Sequence, residues 1–160
     1  MTEVKIETTL QIYKDLNDTP KDIQELMKSA VRARDNAYAP YSKFNVGAAL
    51  LLDNNEVIIG SNQENASYPS GLCAERTAIY YAGAKYPKAK IIKMAITASS
   101  QNQITDQPIP PCGACRQAIA EYEIKQDQPI EIYFMGVKGK VVKSNSLANL
   151  LPLVFDRGFL

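Results

Sequence analysis

Stretches patterned as β-strands alternate with stretches patterned as helices along most of this chain, and that alternation restricts the folds open to it. Strand patterns occur in FNVGAALLL, EVIIGSN, AKIIKMAITAS, PIEIYFMG and KVVKS, the first two joined as a hairpin by DNN. Between them lie three longer stretches of helical pattern, starting near Thr19, Cys73 and Cys112. We therefore predict an α/β protein, a three-layer α/β/α sandwich with one mixed sheet.

The first helical stretch, TPKDIQELMKSAVRARDNAY, opens with residues typical of a helix start. Thr19 is the predicted N-cap and Pro20 the first helical residue. Apolar residues then recur near the helical period and predict one buried face: Ile23, Leu26, Met27, Ala30 and Ala37.

The chain is expected to form one domain. Its 160 residues are enough to bury a core, and no repeat or linker divides them. Residues 1–18 have a mixed pattern and are predicted to be an N-terminal arm of uncertain structure. Residues 19–160 are predicted to be the single domain, ending in a short helix, SLANLLPLVF, that stops near Pro152.

Composition excludes several function classes. Eighteen basic side chains balance 17 acidic ones, so neither a nucleic-acid-binding nor a membrane-binding surface is indicated. No apolar run approaches the roughly 20 residues of a membrane span, and the start of the chain lacks a signal-peptide pattern. Three cysteines are an odd number for a disulfide framework, so we predict a cytoplasmic protein.

The cysteines are the residues most suggestive of chemistry. Cys112 and Cys115 in PCGAC stand at a helix start, where the spacing fits a redox couple, half of a metal site or ordinary packing. Cys73 begins another helix. Because both helices follow strands of like direction, their N-termini are expected at the same edge of the sheet. The three sulfur atoms are therefore expected to meet.

Three thiolates favour a catalytic zinc over a structural one. A structural zinc site takes four protein ligands, and this chain has no histidine and no fourth cysteine. The open fourth position then suits a water molecule, and Glu75, two residues after Cys73, is placed to exchange protons there. Arg76 is placed to offset the negative charge of the thiolates. Taken alone, Glu75 is more typical of helix-dipole stabilisation than of catalysis, and Arg76 also fits a solvated surface position.

These residues carry a resemblance to a known family. CAE followed downstream by PCGAC resembles the signature of the zinc nucleoside deaminases, with cysteine in the place of the first-ligand histidine. YAPYSKFNVGAALL, GSNQENASYPSGLCAERTAI and PCGACRQAI together are similar to the homotetrameric cytidine deaminases of pyrimidine salvage. The similarity runs from about Pro20 to about Phe155.

The resemblance implies roles for individual residues. Cys73, Cys112 and Cys115 would bind one Zn2+ per chain, Glu75 would be the proton shuttle, and Arg76 would compensate the thiolate charge. The implied substrate contacts are Phe44 on the pyrimidine ring, Asn62 and Glu64 on the ribose hydroxyls, the backbone at Ala66 and Ala74 on the polar edge of the base, and Phe155 at a neighbouring subunit's site.

The implied function is zinc-dependent hydrolytic deamination of cytidine and deoxycytidine to uridine and deoxyuridine, with release of ammonia. The implied assembly is a homotetramer with shared active sites, acting on a small nucleoside rather than on nucleic acid or at a membrane. Two alternatives stay open: a deaminase of a cytosine-containing antibiotic of the blasticidin S type, and a non-enzymatic zinc-stabilised binding module. Asn45, Ser61 and Gln63 depart from the family pattern and bear on substrate preference.

Overall fold

One six-stranded sheet packed between helices forms the molecule, as described for residues 1–160 by a computed structural model. The strands are β1 Gln11–Tyr13, β2 Phe44–Leu52, β3 Val57–Ser61, β4 Ile91–Ser100, β5 Glu131–Met135 and β6 Val141–Ser144. The helices are α1 Lys21–Asp35, α2 Ala74–Lys85 and α3 Gly113–Gln126. Short 3-10 turns lie at Leu16–Asp18, Tyr68–Ser70, Leu147–Asn149 and Arg157–Phe159.

The sheet is mixed, with the strand order β1-β6-β5-β4-β2-β3. Strands β4 and β5 are parallel, whereas the other neighbouring pairs are antiparallel. Helix α1 packs on one face, against Ala49, Ala95 and Tyr133. Helices α2 and α3 cover the other face through a larger cluster that includes Ile79 and Ile119. The predicted three-layer sandwich and the predicted hairpin of β2 and β3 are confirmed.

The start of α1 differs from the prediction. Pro20, not Thr19, occupies the N-cap position, because the Thr19 hydroxyl donates to the Leu16 carbonyl at 2.7 Å and closes the preceding turn. The helix also ends at Asp35, so Ala37 lies beyond the predicted apolar stripe. The rest of that stripe is buried as predicted.

The two ends of the chain also differ from the prediction. Within the arm, β1 pairs antiparallel with β6 and adds an edge strand that the sequence pattern did not indicate. The predicted last helix is a single 3-10 turn, which Ser146 begins by accepting a hydrogen bond from the Ala148 amide. No helix is both long enough and apolar enough to cross a membrane.

The connections bring the starts of α2 and α3 to one edge of the sheet. Both β3 and β4 run antiparallel to β2, so they point the same way, and each leads through a loop into one of these helices. Gly60 in β3 allows α2 to pack closely against the sheet. A Cβ atom at Gly60 would lie 2.6 Å from the Ala74 carbonyl oxygen and 2.6 Å from the Ala78 nitrogen.

Gly47 in β2 lies similarly close to the backbone of α1. A Cβ atom there would lie 2.0 Å from the Ala30 carbonyl oxygen. Because backbone cannot move aside as a side chain can, we expect Gly47→Ala to reduce the free energy of unfolding by about 3 kcal/mol. Urea unfolding measures it. Gly158→Ala, near the exposed C-terminus, is the control, and equal stability of the two variants would contradict this contact.

Candidate active site

Three cysteine sulfur atoms meet where α2 and α3 begin. Cys73 and Cys112 occupy the N-cap positions of these helices, both in extended backbone, and Cys115 lies in the first turn of α3. The three Sγ atoms lie within 4.8 Å of one another, and those of Cys112 and Cys115 are 3.5 Å apart. The sequence prediction that these sulfurs converge agrees with this geometry.

The arrangement fits a zinc ion. A tetrahedral zinc with Zn–S bonds of about 2.3 Å separates its sulfur ligands by about 3.8 Å, close to the spacing seen here. The group comprises Cys73, Cys112 and Cys115 alone, so one tetrahedral position is left for a non-protein ligand. Thiolates also favour zinc over magnesium or calcium, which prefer oxygen ligands.

Neighbouring groups stabilise negative charge on the Cys73 sulfur. The pKa of Cys73 falls to about 5, first because the Cys115 thiol donates a hydrogen bond to its sulfur; burial opposes this change, and Arg76 adds to it. The pKa of Cys115 rises, because it is the donor in that pair and is buried. Arg76 Nη2 lies 3.5 Å from Cys73 Sγ, while its Nε atom is buried without a partner. Arg76 is therefore an interacting group rather than a solvated one.

Glu75 is a buried carboxyl group in the first turn of α2. Only 5% of the residue is exposed. Burial raises its pKa, and the nearby Cys73 sulfur contributes in the same direction. A carboxyl group with a raised pKa, adjacent to a metal-binding cluster, has the properties required of a proton carrier.

A cavity of about 470 Å³ adjoins the cluster. Cys73 and Arg76 line it on the side of the sulfurs, and Asn62 and Glu64 line it elsewhere. The structure thus brings the two predicted ribose contacts into the same cavity as one metal ligand. Glu64 is its only acidic lining residue and Arg76 its only basic one.

Backbone groups fix the side chains of both predicted ribose contacts. Asn62 Oδ1 accepts from the Val46 amide at 2.8 Å, and its Nδ2 donates to the Phe44 carbonyl at 2.9 Å. Glu64 Oε2 accepts from the amides of Tyr41 and Ser42. The Ser42 hydroxyl and these amides lower the pKa of Glu64, which keeps it ionised.

Four predicted substrate contacts do not line this cavity. Phe44 is half-buried at the start of β2, Ala66 is exposed in the loop before α2, and Ala74 is buried at the start of α2. Phe155 is 60% exposed, stacks on Phe159 with ring centroids 5.8 Å apart, and accepts a hydrogen bond at its carbonyl from Gln117 of α3.

Sequence reasoning missed three residues. Tyr41 and Tyr68 line the cavity with ring centroids 6.0 Å apart, and each lies within a motif that had been singled out for other residues. Arg116 donates to the carbonyls of Pro111 and Leu150 and so ties the loop before α3 to the C-terminal segment. One signal for Arg116 was available in the sequence: it is a cation in the first turn of a predicted helix, where the helix dipole disfavours positive charge.

Comparisons with known proteins point to one family. Residues 20–128 match the family described as the cytidine and deoxycytidylate deaminase zinc-binding region. A cytidine deaminase from Halalkalibacterium halodurans is 41% identical over 134 residues, which cover 84% of this chain and 94% of that protein. A cytidine deaminase from Mycobacterium tuberculosis is 36% identical over 137 residues, covering 84% and 90%.

Solved structures agree with these relatives. The cytidine deaminase of Burkholderia pseudomallei superimposes with a TM-score of 0.70 at 38% identity, covering 82% of this chain and 97% of that chain. The cytidine deaminase of Mycobacterium tuberculosis superimposes with a TM-score of 0.66 at 31% identity, covering 86% and 99%.

Proposed function

The chain belongs to the cytidine deaminase family of zinc-dependent hydrolases, and from this premise we propose how its residues act. The reaction is hydrolysis of cytidine and deoxycytidine to uridine and deoxyuridine with release of ammonia, as a step of pyrimidine salvage. One observation carries the proposal. Three sulfur atoms and the buried Glu75 meet at the starts of α2 and α3, beside a cavity that Asn62 and Glu64 line.

The metal ligands are Cys73, Cys112 and Cys115. When bound, zinc supplies Lewis acidity that makes a water molecule a nucleophile near neutral pH. Glu75 takes the proton that water loses on attacking carbon 4 and delivers it to ring nitrogen 3. Glu75 then takes the remaining proton from the hydroxyl group newly attached to carbon 4 and passes it to the amino group. The bond between carbon 4 and the amino nitrogen breaks, the carbonyl group forms and ammonia leaves. The burial of Glu75 supports this role, because a raised pKa makes the carboxyl group a better proton acceptor than an ordinary glutamate.

Arg76 balances the charge of the thiolates. Three thiolates on one divalent cation leave a net negative charge, which weakens the polarisation of water. The Arg76 contact to Cys73 and the N-termini of α2 and α3 bring positive charge to the same place.

The substrate contacts follow the position of the cavity. Glu64, ionised and in the cavity wall, accepts hydrogen bonds from the ribose hydroxyls, and Asn62 lies beside it. We assign Phe44 to the pyrimidine ring and the backbone at Ala66 and Ala74 to the polar edge of the base. These assignments rest on the family pattern.

Substrate form tests the ribose contacts. Because Glu64 is ionised and Arg76, the only basic lining residue, is engaged with Cys73, a phosphate gains no partner in the cavity. We expect kcat/KM for cytidine to exceed that for cytidine monophosphate at least about tenfold, equivalent to 1.4 kcal/mol. Glu64→Gln should reduce the ratio of kcat/KM for cytidine to kcat/KM for cytidine monophosphate. Comparable values for the two substrates in the unaltered protein would contradict the assignment of Glu64.

An ultraviolet assay separates the function from its alternatives. Loss of cytidine absorbance with equimolar uridine and ammonia is the expected result. Turnover of a blasticidin-type antibiotic but not of cytidine would support the first alternative, and zinc binding without any turnover would support the second. Asn62 and Glu64 in the cavity favour the nucleoside.

We propose further that residues 19–160 form the catalytic domain, that residues 1–18 are an arm, and that the protein works in the cytoplasm as a homotetramer. The free thiols of the three cysteines suit a reducing compartment. Phe155 supports shared active sites, because it is exposed within one chain and does not line that chain's cavity.

Mixed oligomers test this sharing. In an oligomer made only of Phe155→Ala chains, the free energy of substrate binding at every site should become less favourable by about 0.5–1.5 kcal/mol, because aromatic packing is lost. In an oligomer made only of Glu75→Ala chains, every site should be inactive. When the two are unfolded, mixed and refolded, a chain with intact Glu75 can receive an intact Phe155 from its neighbour. Activity per intact Glu75 should therefore rise, whereas a flat response with hybrids verified by mass spectrometry would refute shared sites.

A further inference from the structure

A second cavity, of about 210 Å³, lies at the opposite ends of α2 and α3 from the active site. The last turns of both helices, the loop between α2 and β4, and the first residue of β4 enclose it. At about 1.5 Å per residue, the 12 residues of α2 place it roughly 18 Å from the sulfur cluster. It shares no lining residue with the active-site cavity.

The lining of this cavity carries positive charge without compensation. Lys88, Lys90 and Lys125 line it, and no aspartate or glutamate does. None of the three takes part in an ion pair. This is a local excess, since the whole chain has a net charge of only +1. Lys85 and Lys88 line an adjoining cavity, which the Asp53 carboxylate also lines.

The side-chain groups left free around the cavity are hydrogen-bond donors. Burial raises the pKa of Tyr122, so its phenol stays protonated and can donate a hydrogen bond, whereas the Tyr86 hydroxyl is already hydrogen-bonded to Lys85. The Gln126 amide is already engaged, accepting from the Ile91 amide and donating to the carbonyls of Ile91 and Gln128. The Tyr122 phenol and three ammonium groups therefore surround a space that no side-chain carboxylate lines.

The walls of the cavity are held by contacts of their own. The Gln126 bonds fix the end of α3 to β4, and Asp53 fixes the loop by accepting from the Lys90 amide at 3.1 Å. Tyr122 lies directly against α2, since a Cβ atom at Gly83 would be 2.3 Å from its hydroxyl oxygen. The site is thus preformed, as binding sites for small molecules usually are.

Helix-dipole stabilisation does not account for all the lysines. Lys85 and Lys125 lie in the last turns of their helices, where a cation is favourable without any ligand. Lys88 and Lys90 lie outside both helices, in the loop and beside Tyr86. Three like charges line this small cavity and repel one another, while the Asp53 carboxylate lies in the adjoining cavity. An anion among the three ammonium groups would relieve their repulsion.

We propose that this cavity binds a small anion of the phosphate class, such as orthophosphate or pyrophosphate. Its volume is below the roughly 300–1,000 Å³ of pockets for larger ligands, which restricts the ligand to a compact one. Ammonium groups bind phosphate as point charges, and phenol hydroxyls donate to its oxygens. Lys88 and Lys125 supply the charge, and Tyr122 the neutral donor.

Isothermal titration calorimetry of the zinc-loaded protein tests this proposal, with orthophosphate and pyrophosphate titrated in turn. One saturable site per chain is expected, weaker as sodium chloride rises. The Lys88→Ser/Lys125→Ser variant should raise the dissociation constant at least about tenfold, and Tyr122→Phe should raise it several-fold. The matched control is Lys138→Ser/Lys140→Ser, which removes the same charge from the turn between β5 and β6 and should bind normally.

Two results would overturn the proposal. One is the absence of saturable binding of either anion at millimolar concentration. The other is equal weakening in both double variants, which indicates attraction to overall charge rather than a site. The melting temperature is an independent readout, because a bound anion should raise it in the unaltered protein. The Lys138→Ser/Lys140→Ser variant should show the same increase, and the Lys88→Ser/Lys125→Ser variant should not.

Discussion

Glu75→Gln should reduce turnover of cytidine by about 10²–10⁴-fold while one zinc per chain remains bound. The amide has nearly the same size as the carboxyl group but cannot carry a proton between the attacking water, ring nitrogen 3 and the departing amino group. Because Glu75 is buried and is not one of the three clustered ligands, its replacement should leave the metal site intact. Steady-state kinetics and elemental analysis on the same preparation measure both quantities.

Glu121→Gln is the matched control, since it removes an exposed carboxylate from α3. It should keep full turnover. If Glu75→Gln also kept near-full turnover, Glu75 would be a helix-start carboxylate and the proton transfers would belong to another group.

Cys112→Ser should lose most of its zinc and, with it, deaminase activity. A neutral hydroxyl is a much weaker zinc ligand than a thiolate, and only Cys73 and Cys115 would remain. Replacing a group that only orients a ligand typically costs about 10–100-fold in metal affinity, so replacing a ligand itself should cost more. Elemental analysis after dialysis gives the zinc content.

Because Cys112 is exposed, Cys112→Ser should keep the native fold, and circular dichroism checks this. Ala114→Ser is the control, since it adds a hydroxyl at an exposed position two residues from Cys112 and leaves all three thiols in place. Full zinc content in Cys112→Ser would remove Cys112 from the ligand set.

The central fold was predictable because its pattern is set by burial. Strands β2 and β4 are long and largely buried, and each bears an apolar run that no loop would tolerate. Strand β1 was not predictable, since its three residues QIY are mostly exposed and become a strand only by pairing with β6. Thr19 was predicted from local capping preference, but the preceding turn uses its hydroxyl instead.

The site divides in the same way. Convergence of the three cysteines followed from the directions of β3 and β4, so sequence pattern and topology together were sufficient. The cavity walls were less accessible: Tyr41 and Tyr68 come together only through loop conformations that no periodicity encodes. Phe155 lies outside the cavity of its own chain, and a single sequence cannot show which chain's site it serves.

The most direct test of the zinc-dependent mechanism is to measure zinc content and cytidine turnover in the same samples. Partial removal by a chelator and reloading gives a series from metal-free to one zinc per chain. Turnover should rise in proportion to zinc content, pass through zero for metal-free protein and return on reloading. Full deaminase activity in protein that elemental analysis shows to be free of zinc would contradict the account.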